Sequence, residues 1–450
     1  MRIDLVSKYD MRIPRYTSYP TAPHFSPAIG ADDYKTWLSG LSPETELSLY
    51  LHIAYCAEMC WFCGCHTKIT RRYAPIADYM DALHREIAMI ASCLPARMRV
   101  RHVHFGGGSP TVLTPGDFTD VVDVLRKTFI LSSEAEIAVE IDPRTTDESY
   151  CEAIAACGVN RASIGVQDFD PTVQAAVNRI QPFDMVEKVV NWLKQRKIED
   201  INLDLIYGLP HQTTEGLLHT VDLAAKLEPR RLSLFGYAHV PWMKKHQTLI
   251  PEEALPSLEQ RWEQYERVSS RLVERHGFAA IGLDHFAAPD DTLSRALREG
   301  RLHRNFQGYT VDPSAVLIAF GASGIGFLPQ GYVANAVDIH AYKNAIRDGR
   351  PATARGIAIN DEDRLRRDII ERLMCDMRVD IAAIAARHGR NPEQYRPELA
   401  SLASMQTDSL LTIDGFTISM TDEGRPLMRA ACAAFDQYLK NGEQRHSKAV

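Results

Sequence analysis

Residues 48–66 read Ser48-Leu49-Tyr50-Leu51-His52-Ile53-Ala54-Tyr55-Cys56-Ala57-Glu58-Met59-Cys60-Trp61-Phe62-Cys63-Gly64-Cys65-His66. The first six form a short β-rich run, and it feeds directly into a loop carrying four thiols spaced C-x3-C-x2-C and then C-x-C. Runs of the same texture recur as RHVHFGG (101–107), EIAVEID (136–142), RASIGVQ (161–167), INLDLIYG (201–208) and RLSLFGYA (231–238). Amphipathic segments lie between them. Tyr79 to Leu94 sets Met80, Leu83, Ile87 and Ile90 on one helical face. Thr114-Pro115 supplies a cap and a proline at the first helical position ahead of Phe118, Val121, Val122 and Leu125. Such alternation implies parallel strands joined by right-handed crossovers. Six units predict an α/β fold, an incomplete (β/α)6 TIM-like barrel, in preference to a closed eight-fold barrel or a doubly wound sheet.

Chemistry in a barrel of this kind belongs at the C-terminal ends of the strands. Unusual residues collect there: Gly106-Gly107-Gly108-Ser109-Pro110-Thr111, then Glu140 and Asp142, Gln167 with Asp168, Asp204 with Tyr207-Gly208, and Tyr237-Ala238-His239. The cysteine loop follows the first of these strands, which contains Tyr50.

Outside the barrel the texture changes. Pro14, Pro20, Pro23 and Pro27 discourage helix, so residues 1–44 read as an extended arm. A polar, aromatic loop runs from His303 to Thr310, and the apolar, glycine-rich run Ala315–Phe327 reads as buried core and turn. From about Gly349 helical patterns take over, with a brief hairpin-like alternation in LLTIDGFTISMTDEGRPLM. The expected division is an arm over 1–44, the barrel and its extension over 45–348, and a C-terminal α-helical domain over 349–450.

Composition narrows the function class. The 450-residue chain is 45% hydrophobic with a net charge of -7, so no global basic field favours nucleic acid. No segment reads as a membrane helix or a secretory signal, and no membrane partner is expected. Nine cysteines, four of them in one loop, point to a reducing, cytoplasmic compartment and a metal or cluster, not a disulfide framework. On spacing alone three centres are open. Zinc could take Cys56, Cys60 and Cys63 with Cys65 or His66. A closed four-iron cluster could use Cys65 as its fourth ligand. A cluster held by three thiolates would leave one iron free to bind a substrate or cofactor.

C-x3-C-x2-C with an aromatic residue before the third cysteine resembles the signature of the radical S-adenosylmethionine (SAM) enzymes. Taken with PRYTSYPTA, HFGGGSPT, VEIDPR, GVQDF, NLDLIYGLP, FGYAHVP and HRNFQGYT, the chain is similar to the oxygen-independent coproporphyrinogen III oxidase family from the arm through the C-terminal domain. The resemblance implies one [4Fe-4S] cluster on Cys56, Cys60 and Cys63, with Cys65 not ligating iron, and two SAM molecules. Tyr50, Gly107, Glu140 and Ile325 would hold the cluster-bound SAM. Phe62, Gly108, Ser109, Gln167, Arg179, Asp204 and Ala238 would hold the second. The implied reaction, part of haem biosynthesis, converts two propionates of coproporphyrinogen III to vinyls after hydrogen abstraction from the propionate β-carbon. A flavodoxin- or ferredoxin-type electron donor and a monomer are implied as well. Three departures stand out: Ser109 for a threonine, HIAYC for HIPFC, and GASGIG for a GxSAI-type run. The substrate's carboxylates call for arginines, and Arg15 and Arg304 occupy the two most distinctive motifs outside the barrel. A haem-binding chaperone of the same lineage is the alternative, against which the arm and Cys65 argue.

Overall fold

The computed structural model describes residues 3–9 and 11–441. The opening run folds as the strand Leu47–Ile53, with six of its seven residues buried. It pairs in parallel with Arg99–Gly107 on one side and with Leu317–Phe320 on the other. Parallel pairing continues through Ile130–Ile141, Arg161–Gln167, Asp200–Tyr207 and Arg231–Gly236, so each of the six expected runs is a strand. Antiparallel strands extend both edges. Ile325–Leu328, Gly331–Asn335 and Thr353–Ala358 follow Leu317–Phe320, while His285–Ala287 and Ala279–Ile281 follow Arg231–Gly236, for twelve strands in all. Ser48, His104, Glu140, Ser163, Asn202 and Ser233, one from each of the six barrel strands, line a single interior cavity of about 240 Å³. The sheet is therefore curled into an incomplete barrel, with the extension strands continuing its edge.

Two features depart from the sequence expectation. The glycine-rich run is buried as expected, but it includes a barrel-type strand, Leu317–Phe320, that the sequence reading does not anticipate. Its hydrogen-bonding partner lies at Ser48–Leu51, far along the chain, and Gly321, Gly324 and Gly326 break up the local pattern that would have revealed it. In addition, the last strand of the sheet, Thr353–Ala358, lies beyond the change of texture at Gly349.

The helices obey their local signals. Pro115–Thr128 is capped by Thr114, whose Oγ1 accepts a 3.1 Å bond from Asp117 N, and it buries Phe118, Val121, Val122 and Leu125. Ala74–Ser92 buries Met80, Leu83, Ile87 and Ile90. Each such side chain contributes roughly 1.5–3 kcal/mol relative to exposure. The arm is not extended throughout: the helices Ile3–Tyr9 and Ala31–Ser39 flank its prolines in stretches that hold none, and Pro23 sits in the single 3-10 turn Ala22–His24. Asp361–Asp376 opens on a capping box between Asn360 and Asp363. Short helices and a three-stranded sheet follow, including the hairpin Leu411–Asp414 and Thr417–Met420. The end of the expected helical domain, residues 442–450, lies outside the described residues. Among the described residues no helix is long and apolar enough to cross a membrane.

Candidate active site

The cysteine loop is held at its base and on both flanks. Tyr55–Cys56 pairs with Lys68–Ile69. On one flank Trp61 N donates to Val177 O (3.0 Å) and Asn178 Nδ2 to Met59 O (2.8 Å). On the other, His246 Nε2 donates to Cys63 O (2.7 Å) and Lys244 Nζ to Cys65 O (3.0 Å). Gln247 Nε2 donates to Phe62 O (3.0 Å) and Ala238 O (3.2 Å), tying two of the expected site residues together. Loops following other barrel strands thus fix where the thiols stand.

The thiols differ in surroundings. Cys60 Sγ accepts from Arg144 Nη2 (3.2 Å) and Arg179 Nη1 (3.3 Å), and both guanidiniums also pair with Asp142. Burial raises the Asp142 pKa, but Arg179 and Arg144 outweigh it and hold the carboxyl down at about 2. Burial pushes Cys56 up to about 12, although Thr67 Oγ1 donates to its sulfur at 3.3 Å. The Cys65 side chain brings Cys63 down to about 6, and Cys65 N donates to Cys63 Sγ at 3.3 Å. Cys65 itself is exposed. Among the described residues no three His, Cys, Asp or Glu side chains converge so as to hold a single metal ion.

Below the loop, Glu140 is poised by two donors, His104 Nε2 to Oε1 and Gly107 N to Oε2, each at 3.1 Å. Burial raises its pKa, yet the His104 and Gly107 bonds hold it below the ordinary value, and each oxygen keeps a further lone pair. Tyr50 stacks on His104, ring centroids 5.8 Å apart, and its hydroxyl lies 3.1 Å from His52 Nδ1. His52 Nε2 donates to His66 O (2.8 Å), which leaves Nδ1 to accept from Tyr50, and burial keeps this imidazole neutral. The glycines beside it leave the room these side chains occupy. A Cβ on Gly107, at φ 107°, would lie 2.5 Å from the His52 ring, and one on Gly106 would lie 2.5 Å from Glu140 Oε1. Gly108 N and Ser109 N then bond to Ile53 O and Tyr55 O, both at 2.8 Å, stitching this strand end to the root of the cysteine loop.

The remaining expected residues fall on neighbouring strand ends or beside them. Gln167 ends Arg161–Gln167 at φ 66°, and Arg179 Nη2 reaches Gly165 O in the same strand (2.7 Å). Asp204, its pKa raised by burial, accepts from Ser163 Oγ (2.9 Å) and Asn202 Nδ2 (2.7 Å). The Ser109 hydroxyl is buried and engaged with Thr111 Oγ1 (2.7 Å). Ile325 begins an extension strand two residues past Ser323, whose Oγ lies 3.4 Å from His52 Nε2. Sequence reasoning missed Arg144, His52, His104, His246 and Gln247. Arg144 carried a signal, a cation two residues past the strand-end Asp142, whereas His246 and Gln247 lie in an irregular segment that carries none.

Arg15 and Arg304 meet in one cavity of about 430 Å³, together with Arg12, Arg261 and Arg429. Gly236 to Ala238, at the end of the sixth barrel strand, form part of its wall, as do Tyr207 and Trp262. Arg304 lies over the Tyr309 ring at 4.4 Å, and its Nη1 is 3.9 Å from Asp284 Oδ1. Among the described residues the buried Nε and Nη1 of Arg304 have no hydrogen-bond partner. Burial, then repulsion from Arg15, lowers Arg429 to about 10.

Comparison with known proteins accords with this geometry. Residues 50–224 match the model of the Radical SAM superfamily, and residues 359–427 match that of the HemN C-terminal domain. The oxygen-independent coproporphyrinogen III oxidase of Bradyrhizobium diazoefficiens is 50% identical over 451 residues, covering 100% of both chains. That of Escherichia coli is 39% identical over 437 residues, covering 97% of this chain and 95% of the relative. The solved structure of the E. coli enzyme, described as a radical SAM enzyme, superposes with a TM-score of 0.91 at 37% identity, covering 97% of this chain and 99% of that one. The chain belongs to the oxygen-independent coproporphyrinogen III oxidase family of radical SAM oxidoreductases.

Proposed function

We propose that this protein converts two propionate side chains of coproporphyrinogen III to vinyls without oxygen, giving protoporphyrinogen IX. The observation that carries the reading is the arginine-lined cavity, which opens beside Ala238 and is joined to the cysteine loop through Gln247. A buried guanidinium with unpaired N–H groups, as in Arg304, is costly unless an anion completes it. Five arginines crowding Asp284 and Glu252 suit a ligand with several carboxylates.

Cys56, Cys60 and Cys63 are proposed to hold a [4Fe-4S] cluster, a reading supported by the match of residues 50–224 to the Radical SAM superfamily. The cluster with SAM supplies a 5′-deoxyadenosyl radical when both are bound. Glu140 would accept the ribose hydroxyls, with Gly107 bonded to it and Tyr50 stacked on its partner His104, and Ile325 is proposed for the same SAM. Phe62, Gly108, Ser109, Gln167, Arg179, Asp204 and Ala238 are proposed for a second SAM. Arg15 and Arg304 would grip propionates and turn a β-carbon toward the nucleoside side, while Trp262 and Tyr207 exclude water. Each propionate loses one hydrogen atom, one carbon dioxide and one electron, so each product requires two SAM molecules for the hydrogens and acceptor capacity for two electrons, taken one at a time.

The test is an anaerobic incubation with SAM, dithionite and coproporphyrinogen III. Protoporphyrinogen IX and 5′-deoxyadenosine are expected, in a ratio of one to two. Cleavage of SAM with no change in the tetrapyrrole would overturn the substrate assignment, and absence of iron from anaerobically purified protein would overturn the cluster.

A further inference from the structure

A second cleft, of about 500 Å³, borders the cysteine loop and shares no lining residue with the arginine cavity. Ala57 and Glu58 of the loop form one wall, Thr70 to Tyr73 another, and Asp142, Arg144 and Thr145 a third. Two links run from this cleft to the thiols. Ala57 follows Cys56 directly in the chain, and Arg144 Nη2 donates to Cys60 Sγ at 3.2 Å.

The rim carries the opposite sign to the chain as a whole. Arg71 is 80% exposed and pairs with Glu58 at 2.8 Å. Arg72 and the adjoining Lys68 are exposed, and Lys68 lies near enough to Asp338 to help lower that carboxyl. Asp142 is already held by Arg144 and Arg179. Lys68, Arg71, Arg72 and Arg144 therefore outnumber Glu58, Asp142 and the Asp338 that faces Lys68, on a chain whose net charge is -7. Ile69, 40% exposed, adds an apolar contact beside them.

We propose that this cleft is the docking site of a small acidic one-electron carrier protein, resting on the cluster proposed above. The carrier gives up one electron and the cluster takes it, with no bond made or broken and no proton required. A basic rim steers an acidic partner over a chain that would otherwise repel it, and that steering weakens as salt screens it. Arg144 spans the gap between the cleft and Cys60, which gives the electron a short route.

The test uses the full, cluster-loaded chain and an acidic flavodoxin as the probe, with affinity measured by calorimetric titration at low and at physiological salt. The double variant Arg71→Glu/Arg72→Glu is expected to lose affinity at low salt by about tenfold or more, and the wild-type affinity to fall with salt. Iron content and the dithionite-reduced spectrum check that the variant is intact. Charge reversal on the C-terminal domain, Arg387→Glu, is expected to leave affinity unchanged. Equal affinity of wild type and double variant, no binding to the wild type at low salt, or an equal loss in Arg387→Glu would each overturn the proposal. Dithionite needs no docking surface, so failure of dithionite-driven SAM cleavage would count against the cluster reading, while flavodoxin affinity reads the cleft alone.

Discussion

Cys60 differs from Cys56 and Cys63 in what donates to its sulfur: two guanidiniums, themselves anchored by a carboxyl held at about 2. Donors to a thiolate ligand stabilise the more negative, reduced state of a cluster, and cationic donors do so more strongly than neutral ones. Arg144→Leu removes one of them and leaves Arg179 and Asp142 paired at 3.3 Å. On the proposed cluster the midpoint potential should fall on the order of 50 mV, somewhat less than a tenfold change in the one-electron equilibrium. Potentiometric titration monitored by electron paramagnetic resonance measures this, and a midpoint equal to wild type would exclude Arg144 as a tuning residue. The cysteines themselves are readable from spacing because all lie within one loop. Their environment is not, since Arg144 and Arg179 stand 84 and 119 residues away from Cys60 and meet it only through the barrel.

Helix Ala74–Ser92 does more than cover the sheet. From one buried face Tyr79 OH donates to His52 O (2.6 Å) and accepts from Ala322 N (2.9 Å). Two turns on, the Glu86 carboxylate takes Gly321 N, Tyr342 OH and Asn335 Nδ2, each at 2.7 Å. The helix thereby pins the Gly321–Ser323 turn against His52, the residue that orients Tyr50. Burial raises Glu86 to about 7 in spite of its three donors. An unfolded Glu titrates near about 4.3, so the folded state binds the extra proton between the two values. Stability is therefore fullest below the unfolded value and declines as pH rises toward about 7, by on the order of 3 kcal/mol. Glu86→Gln removes that proton linkage, and its unfolding midpoint should fall less than wild type's between about pH 5 and pH 8. Thermal melts of both proteins decide it, and identical slopes would assign the linkage elsewhere. The sequence pattern set Met80, Leu83, Ile87 and Ile90 inward and left Glu86 unremarked, because its partners lie 235 to 256 residues on. Where the signal is local, as in the Thr114 cap or the six strand runs, sequence and structure agree. Where an element is completed by a distant partner, as with Leu317–Phe320, periodicity has nothing to report.

Across the whole molecule the arginine cavity is a joint product of the arm, the barrel and the C-terminal region, which supply Arg12 and Arg15, Arg261 and Arg304, and Arg429 respectively. The arm is fixed from both sides. Tyr9 OH donates to Asp408 (2.7 Å), Tyr16 OH to Asp436 (3.1 Å), and Gln437 N to Tyr19 OH (3.2 Å). Ser26 exchanges backbone bonds with Gly356 of the sheet at 2.8 and 2.9 Å. None of the contacts described above that hold the cysteine loop or Glu140 comes from the arm. A chain lacking residues 1–20 should therefore keep its iron content and its dithionite-driven cleavage of SAM while losing tetrapyrrole conversion. Truncation also exposes apolar surface, so Arg15→Ala serves as the gentler variant. Arg15 makes a 3.4 Å bond to Gly236 O and otherwise faces the cavity, which leaves its guanidinium available to a propionate. Loss of one charge-assisted bond, about 1.5–3 kcal/mol, should raise KM for coproporphyrinogen III by roughly 10- to 100-fold. The KM for SAM should change far less, because Arg15 lies among none of the residues around Glu140 and meets the second SAM set only at the cavity wall it shares with Ala238. Steady-state kinetics under anaerobic conditions separate the two constants. Were both variants to convert coproporphyrinogen III as wild type does, the arm would be a structural strap and the propionates would be held by the barrel and C-terminal arginines alone.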